Sequence, residues 1–386
     1  MTETAGSTRL RLVLVGAGHA HLLLLRHARR LQAAGLAVSL VAPPRFRYSG
    51  AVTGVLSGRY PPSYGELDVG ALAGRRGVVH LARTVTSVDR ARRRLQLSDG
   101  GLLSYDLASF NVGSVMTPAA FGGEAARVWS AKPLASLVRL RAVLEREMSE
   151  TGRAPSLVVA GGGRSGLEIA AALAGLARRS GVRPDVVLVS AHGQPTGDGA
   201  PPAAWRRLGS HLEQAGVRFE IGRVASRELD TVLLDTGREL EARHLVLAHG
   251  LAAQPLMERL GLPSAVDGAL CVDATLRPPG DPSIFATGDG CAFLEAPRPR
   301  MGVFGVRAAP VLLHNLLAVA RGGELRSYRP QRRWLSIMDL GDGNAFATRG
   351  SAWRLSHDML RLKTWLDTAF LRRVGAFGTS YDLRTF

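Results

Sequence analysis

Apolar runs that end in glycine set the first rhythm of this chain. Leu10–Val15 is apolar but for Arg11, and Gly16-Ala17-Gly18 follows at once. His19 to about Ala34 reads as a helix stopped by Gly35, and Ala37–Val41 is a second apolar run closed by Pro43-Pro44. Near-continuous apolar runs predict strands buried on both faces of a parallel sheet, so the segment is a strand–helix–strand unit. The rhythm returns near residue 155, with a strand at Leu157–Ala160, a turn at Gly161-Gly162-Gly163, a helix from Gly166 to about Arg179 and a strand at Val186–Ser190. A unit met twice implies two dinucleotide-type folds in an α/β chain. Between them, Val78–Val88 and Arg94–Leu97 predict short strands, with Ser98-Asp99-Gly100-Gly101 as a hairpin turn. After the second unit, Val217–Val224, Val232–Leu234 and His244–Leu247 do the same, with Asp235-Thr236-Gly237 as a turn. From about residue 326 the texture changes. A turn at Gly341-Asp342-Gly343-Asn344 precedes a basic amphipathic helix from about Trp353 to Phe370, whose Leu355, Met359, Leu362, Leu366 and Phe370 recur at three- and four-residue steps.

Composition narrows the picture. The 386 residues are 46% hydrophobic and 21% charged, which supports a large core and excludes a mainly disordered chain. The net charge of +17 first suggests nucleic acid, but only Lys132 and Lys363 are lysines and the other 47 basic residues are arginines spread along the chain. That skew reads as coding bias, and no nucleic-acid partner is expected. The charge suits an anionic cofactor or an anionic membrane surface. Cys271 and Cys291 form neither a CxxC pair nor a zinc spacing, so no disulfide framework is expected and the expected location is cytoplasmic. No transmembrane helix and no signal peptide are expected, Leu10–Val15 being a strand. The ten histidines show no HExxH spacing, and no metal is assigned.

The glycine turns carry the chemistry. Gly16-x-Gly18-x-x-His21 keeps the glycine that allows the tight turn and the one that lets the backbone approach a pyrophosphate, but puts His21 where a third glycine normally permits close helix–strand packing. His19 is placed near the phosphates and His21 against the sheet. Gly161-x-Gly163-x-x-Gly166 is complete, with Arg164 inside it and Glu168 in the first turns of the helix, at the positive end of its dipole. Neither second strand ends in the acid that reads a ribose: Val41-Ala42-Pro43 and Ser190-Ala191-His192 stand there. A 2′-phosphate could be accommodated at the second site by His192 or an arginine. Thr287-Gly288-Asp289 offers a strand-end acid beside a glycine, able to accept hydrogen bonds from sugar hydroxyls.

These residues carry a resemblance. The segments VLVGAGHAH (Val13 to His21), Tyr48-Ser49-Gly50, Gly113-Ser114, Lys132-Pro133, VVAGGGRSGLE (Val158 to Glu168), ATGD (Ala286 to Asp289) and GVFGVRAAPVLLHN (Gly302 to Asn315) stand in the order found in FAD-dependent pyridine-nucleotide oxidoreductases. Within these the chain resembles the type II NADH dehydrogenase branch, and especially the flavoproteins related to the N-terminal part of selenide-kinase fusions. The resemblance implies two Rossmann-like domains, an FAD domain in residues 1–118 and 251–325 interrupted by an NAD(P)H domain in 119–250, and a C-terminal region in 326–386. It implies Gly16, Gly18, His19 and Ala20 along the FAD pyrophosphate, with Gly113, Ser114, Gly288 and Asp289 also about the flavin and Asp289 on its ribityl chain. A helix starting near Val306 is implied to aim its positive end at the flavin, with Arg307 in its first turn adding a charge. Gly161, Gly163, Arg164, Gly166 and Glu168 are the implied seat of NADH or NADPH. Lys132 is a second catalytic candidate beside Arg307, because a chain that writes its cations as arginine keeps lysine where a compact ammonium is needed.

The departures shape the expected activity. Residues 43–60 hold no cysteine, which excludes a thiol–disulfide relay. The glutamine-bearing quinone stretch of type II dehydrogenases reads Arg307-Ala308-Ala309-Pro310-Val311-Leu312 here. The leading expectation is a hydride passed from NAD(P)H to FAD, then electrons to a quinone or another small acceptor. The alternative is a flavin-binding protein whose second domain serves a partner or another ligand. The C-terminal helix has two expected fates, a peripheral anchor at the inner membrane face or a packing helix of a domain or homodimer.

Overall fold

The computed structural model describes residues 9–116, 127–192 and 199–375. Two five-stranded parallel sheets organise it. In the first, Leu10–Val15 lies between Leu36–Val41 and Leu107–Phe110, with Val79–Leu81 beyond the former and Ile284–Ala286 beyond the latter. In the second, the order is Val128–Ser130, His244–Leu247, Leu157–Ala160, Val186–Ser190 and Val217–Ile221. The first sheet draws its last strand from beyond the second sheet, so two Rossmann-like folds are nested along the chain. Ser114–Met116 leaves the first and Leu251–Ala253 returns to it, and these two crossings pair antiparallel. The expected boundary at residues 118 and 119 lies outside the described residues.

The apolar runs have their physical cause in these sheets. Leu12 and Leu14 are fully buried, as are Val158 and Val159, because both faces of each sheet are covered: Val159 packs with the helix Arg164–Arg179, and Val158 with Val232, Leu234 and Leu240 of a small antiparallel sheet. Each such side chain contributes about 1.5–3 kcal/mol relative to exposure.

Several predicted elements are corrected. The helix expected over His19 to Ala34 is two, His19–Leu25 and Ala28–Ala33. Between them the amides of Arg26 and His27 donate three residues back, to Leu23 and Leu24, and the tightened turn returns Ala28 and Leu31 to the core. Val78–Val88 divides into Val79–Leu81, which joins the first sheet, and Val85–Asp89, which joins a separate antiparallel sheet. Val217–Val224 divides likewise, into Val217–Ile221 and Val224–Glu228. The second glycine helix starts at Arg164 rather than Gly166, and spans Arg164–Arg179.

The long apolar helix spans Gly302–Arg321, so it starts four residues before Val306. Its apolar face extends back to Phe304, which is buried like Ala308, Leu312 and Leu316 and meets the Trp334 ring at 5.4 Å between centroids. Among the described residues this is the one helix long and apolar enough to cross a membrane, and over half of it is buried inside the protein. The tail is corrected too. Ala352–Ser356 is a strand, and the helix is His357–Val374, with the Ser356 hydroxyl accepting from the Met359 amide.

That tail bridges both folds. Its sheet of Ser336–Asp339, Ala345–Arg349 and Ala352–Ser356 lies on the second glycine helix. The approach is so close that a Cβ on Gly175 would stand 2.4 Å from the Gly341 carbonyl oxygen. The C-terminal helix reaches the first fold, where Phe370 stacks on Tyr48 at 4.8 Å between centroids and the Tyr48 hydroxyl donates to Asp367 at 2.9 Å.

Candidate functional site

The first glycine turn is held from across the sheet. Gly16 has φ +85°, and a Cβ there would stand 2.6 Å from the Asn111 carbonyl oxygen. The Gly18 amide donates to that same carbonyl at 3.1 Å. The Asn111 side chain then completes the helix start: its Oδ1 accepts from the amides of Ala20 at 3.0 Å and His21 at 3.3 Å, while its Nδ2 donates to the Thr287 carbonyl at 2.9 Å. One buried amide thus joins the glycine turn to the Thr-Gly-Asp turn. Its sequence signal is faint, a polar residue closing the buried strand Leu107–Phe110.

His21 explains how the turn does without a third glycine. Its ring is fully buried, with Nδ1 2.6 Å from the Gly16 carbonyl and Nε2 2.8 Å from the Ser109 hydroxyl. A carbonyl only accepts, so Nδ1 carries the proton of the neutral ring and Nε2 accepts from Ser109. Burial outweighs the bond to Gly16 and presses the His21 pKa down to about 4. His19, the first residue of the helix, turns its ring toward Phe46, Tyr48 and Phe370. Burial holds it down to about 4 as well, against the pull of Asp289.

Beside this turn lies a compact ionic centre. Asp289 sits in the short turn Gly288–Gly290, where Gly288 has φ +76°. Its Oδ2 accepts from the Ser114 hydroxyl at 2.8 Å and the Lys132 ammonium at 3.0 Å, and Lys132 Nζ is 2.5 Å from Ser114 Oγ. Burial alone would raise the Asp289 carboxyl, but the Lys132 charge and the bonds from Ser114 and Lys132 outweigh it and hold the pKa below its ordinary value. Gly113, at φ +75°, turns the chain just before Ser114. The amino end of Gly302–Arg321 closes the group: a Cβ on Gly302 would meet the His19 ring at 3.2 Å. Arg307 is not in that first turn. It lies in the second turn and is exposed, with Val306 half-buried beside it.

Lys132→Met should therefore leave a largely buried carboxylate unpaired. The pair keeps some contact with solvent, so the expected loss is about 2 kcal/mol, below the 3–5 kcal/mol typical of fully buried pairs. Urea unfolding at pH 7 checks it. The loss should shrink on acidification, as the isolated carboxyl takes up a proton.

The second glycine turn is tighter still. Gly161 has φ +127°, Gly163 precedes the helix in extended conformation, and a Cβ on Gly166 would stand 1.7 Å from the Gly161 carbonyl oxygen. Ser190, at the end of its strand, faces the loop: a Cβ on Gly162 would meet Ser190 Oγ at 2.2 Å. Ala191 and His192 beyond it are exposed. Two residues expected at this seat also hold the C-terminal sheet. Arg164 donates to Ser336 Oγ at 3.0 Å and Thr348 Oγ1 at 3.1 Å, and lies over the Trp205 ring. Glu168 accepts from the Asp339 amide at 3.0 Å. Burial raises its pKa to about 7, the nearby Lys363 only partly opposing this. Lys363, the other of the chain's two lysines, is buried, and donates to the Gly50 carbonyl at 2.6 Å and to Asp367 at 2.8 Å.

The chain is similar to an NADH dehydrogenase-like protein of Mycobacterium tuberculosis, with 32% identity over 59% of this chain and 58% of that one. It is also similar to the biphenyl dioxygenase system ferredoxin–NAD(+) reductase component of Paraburkholderia xenovorans, with 30% identity over 62% of this chain and 56% of the other. The matches thus span a little over half the length of these curated relatives. In fold it is similar to the sulfide:quinone oxidoreductase of Aquifex aeolicus, with a TM-score of 0.79 over 95% of this chain and 91% of that one, at 16% identity. Residues 10–309, which contain both glycine turns and the Asp289 turn, match the sequence profile of one family. The chain belongs to the pyridine nucleotide-disulphide oxidoreductase family.

Proposed function

We propose that this chain is an FAD-dependent oxidoreductase that takes a hydride from NADH or NADPH and passes the electrons to a small acceptor. The observation that carries this reading is the nesting of two glycine-lined helix starts, each at the carboxyl ends of its own parallel sheet, with the Lys132–Ser114–Asp289 centre beside the crossing strands. The residues fit FAD. A Cβ on Gly16 or Gly18 would collide with Asn111, so only glycine lets the turn close against that strand end and leave the first helix start bare, and Met301, which precedes the long helix, offers no capping side chain. Gly16, Gly18 and His19 would line the diphosphate beside Ala20, whose amide Asn111 holds, and Asp289 with Gly113 and Ser114 the sugar-alcohol chain. Gly161, Gly163 and Gly166 would hold the nicotinamide nucleotide. When bound, FAD supplies the two-electron chemistry, and the protein supplies seats and electrostatics. Lys132 keeps Asp289 ionised and fixed in place.

With Ser190 where a ribose-reading acid would stand, nothing in the described residues of that strand end repels a 2′-phosphate, so both nucleotides are accepted. The acceptor is a quinone or another small oxidant. Contact with a membrane would run through Leu362, Trp365, Leu366 and Ala369 on the outer face of the C-terminal helix, where Trp365 is 65% exposed, flanked by Arg361 and Arg372. The parent is expected to float with anionic liposomes and Trp365→Ser to stay behind.

Anaerobic mixing of the yellow protein with NADH, and separately with NADPH, tests the central reading. Rapid bleaching with either supports it. Retained FAD with no bleaching by either would leave the alternative, a flavin-binding protein whose second domain serves another ligand.

A further inference from the structure

The geometry points to Arg300 as the positioning residue that keeps the flavin seat in register with the crossing between the two folds. This rests on the function proposed above. Arg300 stands two residues before the long helix begins at Gly302. Its Nε donates to the Asp289 carbonyl at 3.0 Å, its Nη1 to the Leu251 carbonyl at 2.9 Å, and its Nη2 lies 2.6 Å from the Asp267 carboxylate. Each acceptor belongs to a different stretch of chain, and only the first two border the site. Asp289 carries the carboxylate that Ser114 and Lys132 hold. Leu251 opens the return crossing, whose register against Ser114–Met116 pairs Leu251 with Met116 and Ala253 with Ser114. Asp267 anchors the turn before Ala269, whose amide it accepts at 3.2 Å.

An ordinary surface ion pair would have a different form. The Arg300 side chain is 16% exposed, while Asp267 is 46% exposed. Two of the three acceptors are main-chain carbonyls, so the guanidinium fixes backbones as well as pairing a charge. Its planar fork reaches three directions at once, which a lysine ammonium on a flexible stem cannot reproduce at these separations. Small displacements of Asp289 against the crossing would move the seat of FAD relative to the seat of NAD(P)H. Misplacement by about 1 Å costs on the order of a hundredfold in rate.

The test uses the flavin-loaded full chain with Arg300→Met, Arg300→Lys and Asp267→Asn. It reads FAD release on dilution by fluorescence, flavin reduction at saturating NAD(P)H in anaerobic stopped flow, and thermal unfolding. Arg300→Met is expected to release FAD at least ~10-fold more readily and to be reduced ~100-fold more slowly, the loss falling on the limiting rate rather than on the half-saturating nucleotide concentration. Arg300→Lys is expected to fold like the parent yet keep most of the rate defect. Asp267→Asn, which leaves both carbonyl acceptors in place, is expected to remain within a few-fold of the parent. Parental FAD retention and reduction in Arg300→Met would overturn the inference. So would full rescue by Arg300→Lys, which decides the matter even if the methionine variant does not fold. If the parent is bleached by neither nucleotide, the hydride reading fails on its own, and FAD release still decides the role of Arg300.

Discussion

Gly166→Ala is expected to stop reduction of the bound flavin by NAD(P)H while the purified protein stays yellow. A Cβ at this position would stand 1.7 Å from the Gly161 carbonyl oxygen and 2.9 Å from its carbon. Those atoms are backbone at the turn itself, so no side chain can swing aside. Either the helix Arg164–Arg179 lifts from the sheet or the turn opens, and both carry the helix start away from the nucleotide. A displacement of about 1 Å or more predicts a loss of at least ~100-fold in the rate of flavin reduction. The first fold has its own turn and its own sheet, so FAD retention should not change. Gly16→Ala should do the reverse. There the φ of +85° and the 2.6 Å approach to the Asn111 carbonyl oxygen forbid a side chain at the first turn, and the protein should lose its colour. Absorption spectra of the purified variants, with stopped-flow mixing of whichever remains yellow, check both. A yellow Gly16→Ala beside a colourless Gly166→Ala would reverse the assignment of the two seats.

The glycine turns are legible in the sequence because both of their requirements are local. A doubly covered parallel strand must be apolar along its length, and the turn that follows must reach backbone angles that glycine tolerates. Lys132 stands out for a compositional reason, and its ammonium lies 3.0 Å from Asp289. The other lysine, Lys363, sits on Asp367 at 2.8 Å, so in this arginine-rich chain both lysines pair with carboxylates in confined places. What the sequence hides are contacts made across long stretches of chain. The partner that lets His21 stand in for glycine is Ser109, 88 residues on, and nothing near His21 announces it. Glu168 and Arg164 sit in the second fingerprint by position, but the C-terminal sheet, more than 160 residues away, claims bonds from both. Arg307 reads as a first-turn residue only because the helix is expected to start at Val306. Gly302 and Gly305, which open it, look like loop residues until Phe304 is seen in the core.

Acidification from pH 7 to pH 5 is expected to weaken the fold, and the slope is expected to separate into opposing parts. His21 is held at about 4 in the folded protein against an ordinary 6.5. Between those values the unfolded chain binds a proton that the folded one refuses, so stability falls as pH falls through this window. From pH 7 to pH 5 the cost is about 2 kcal/mol, and roughly 3 kcal/mol once the pH is below both values. His19, also held at about 4, adds a similar cost, and His27, His244 and His249, lowered by burial, act in the same direction. Glu168 opposes them. Its folded pKa of about 7 lies above the ordinary 4.5, so the folded protein takes up the proton first and gains about 2 kcal/mol over the same interval. The parent protein should therefore lose at least about 2 kcal/mol between pH 7 and pH 5. His21→Gly, whatever its stability at pH 7, should lose about 2 kcal/mol less than the parent, and Glu168→Gln about 2 kcal/mol more. Urea unfolding at pH 7, 6 and 5 gives the three slopes. A His21→Gly line parallel to that of the parent would mean that this ring is not kept neutral by its place between Gly16 and Ser109.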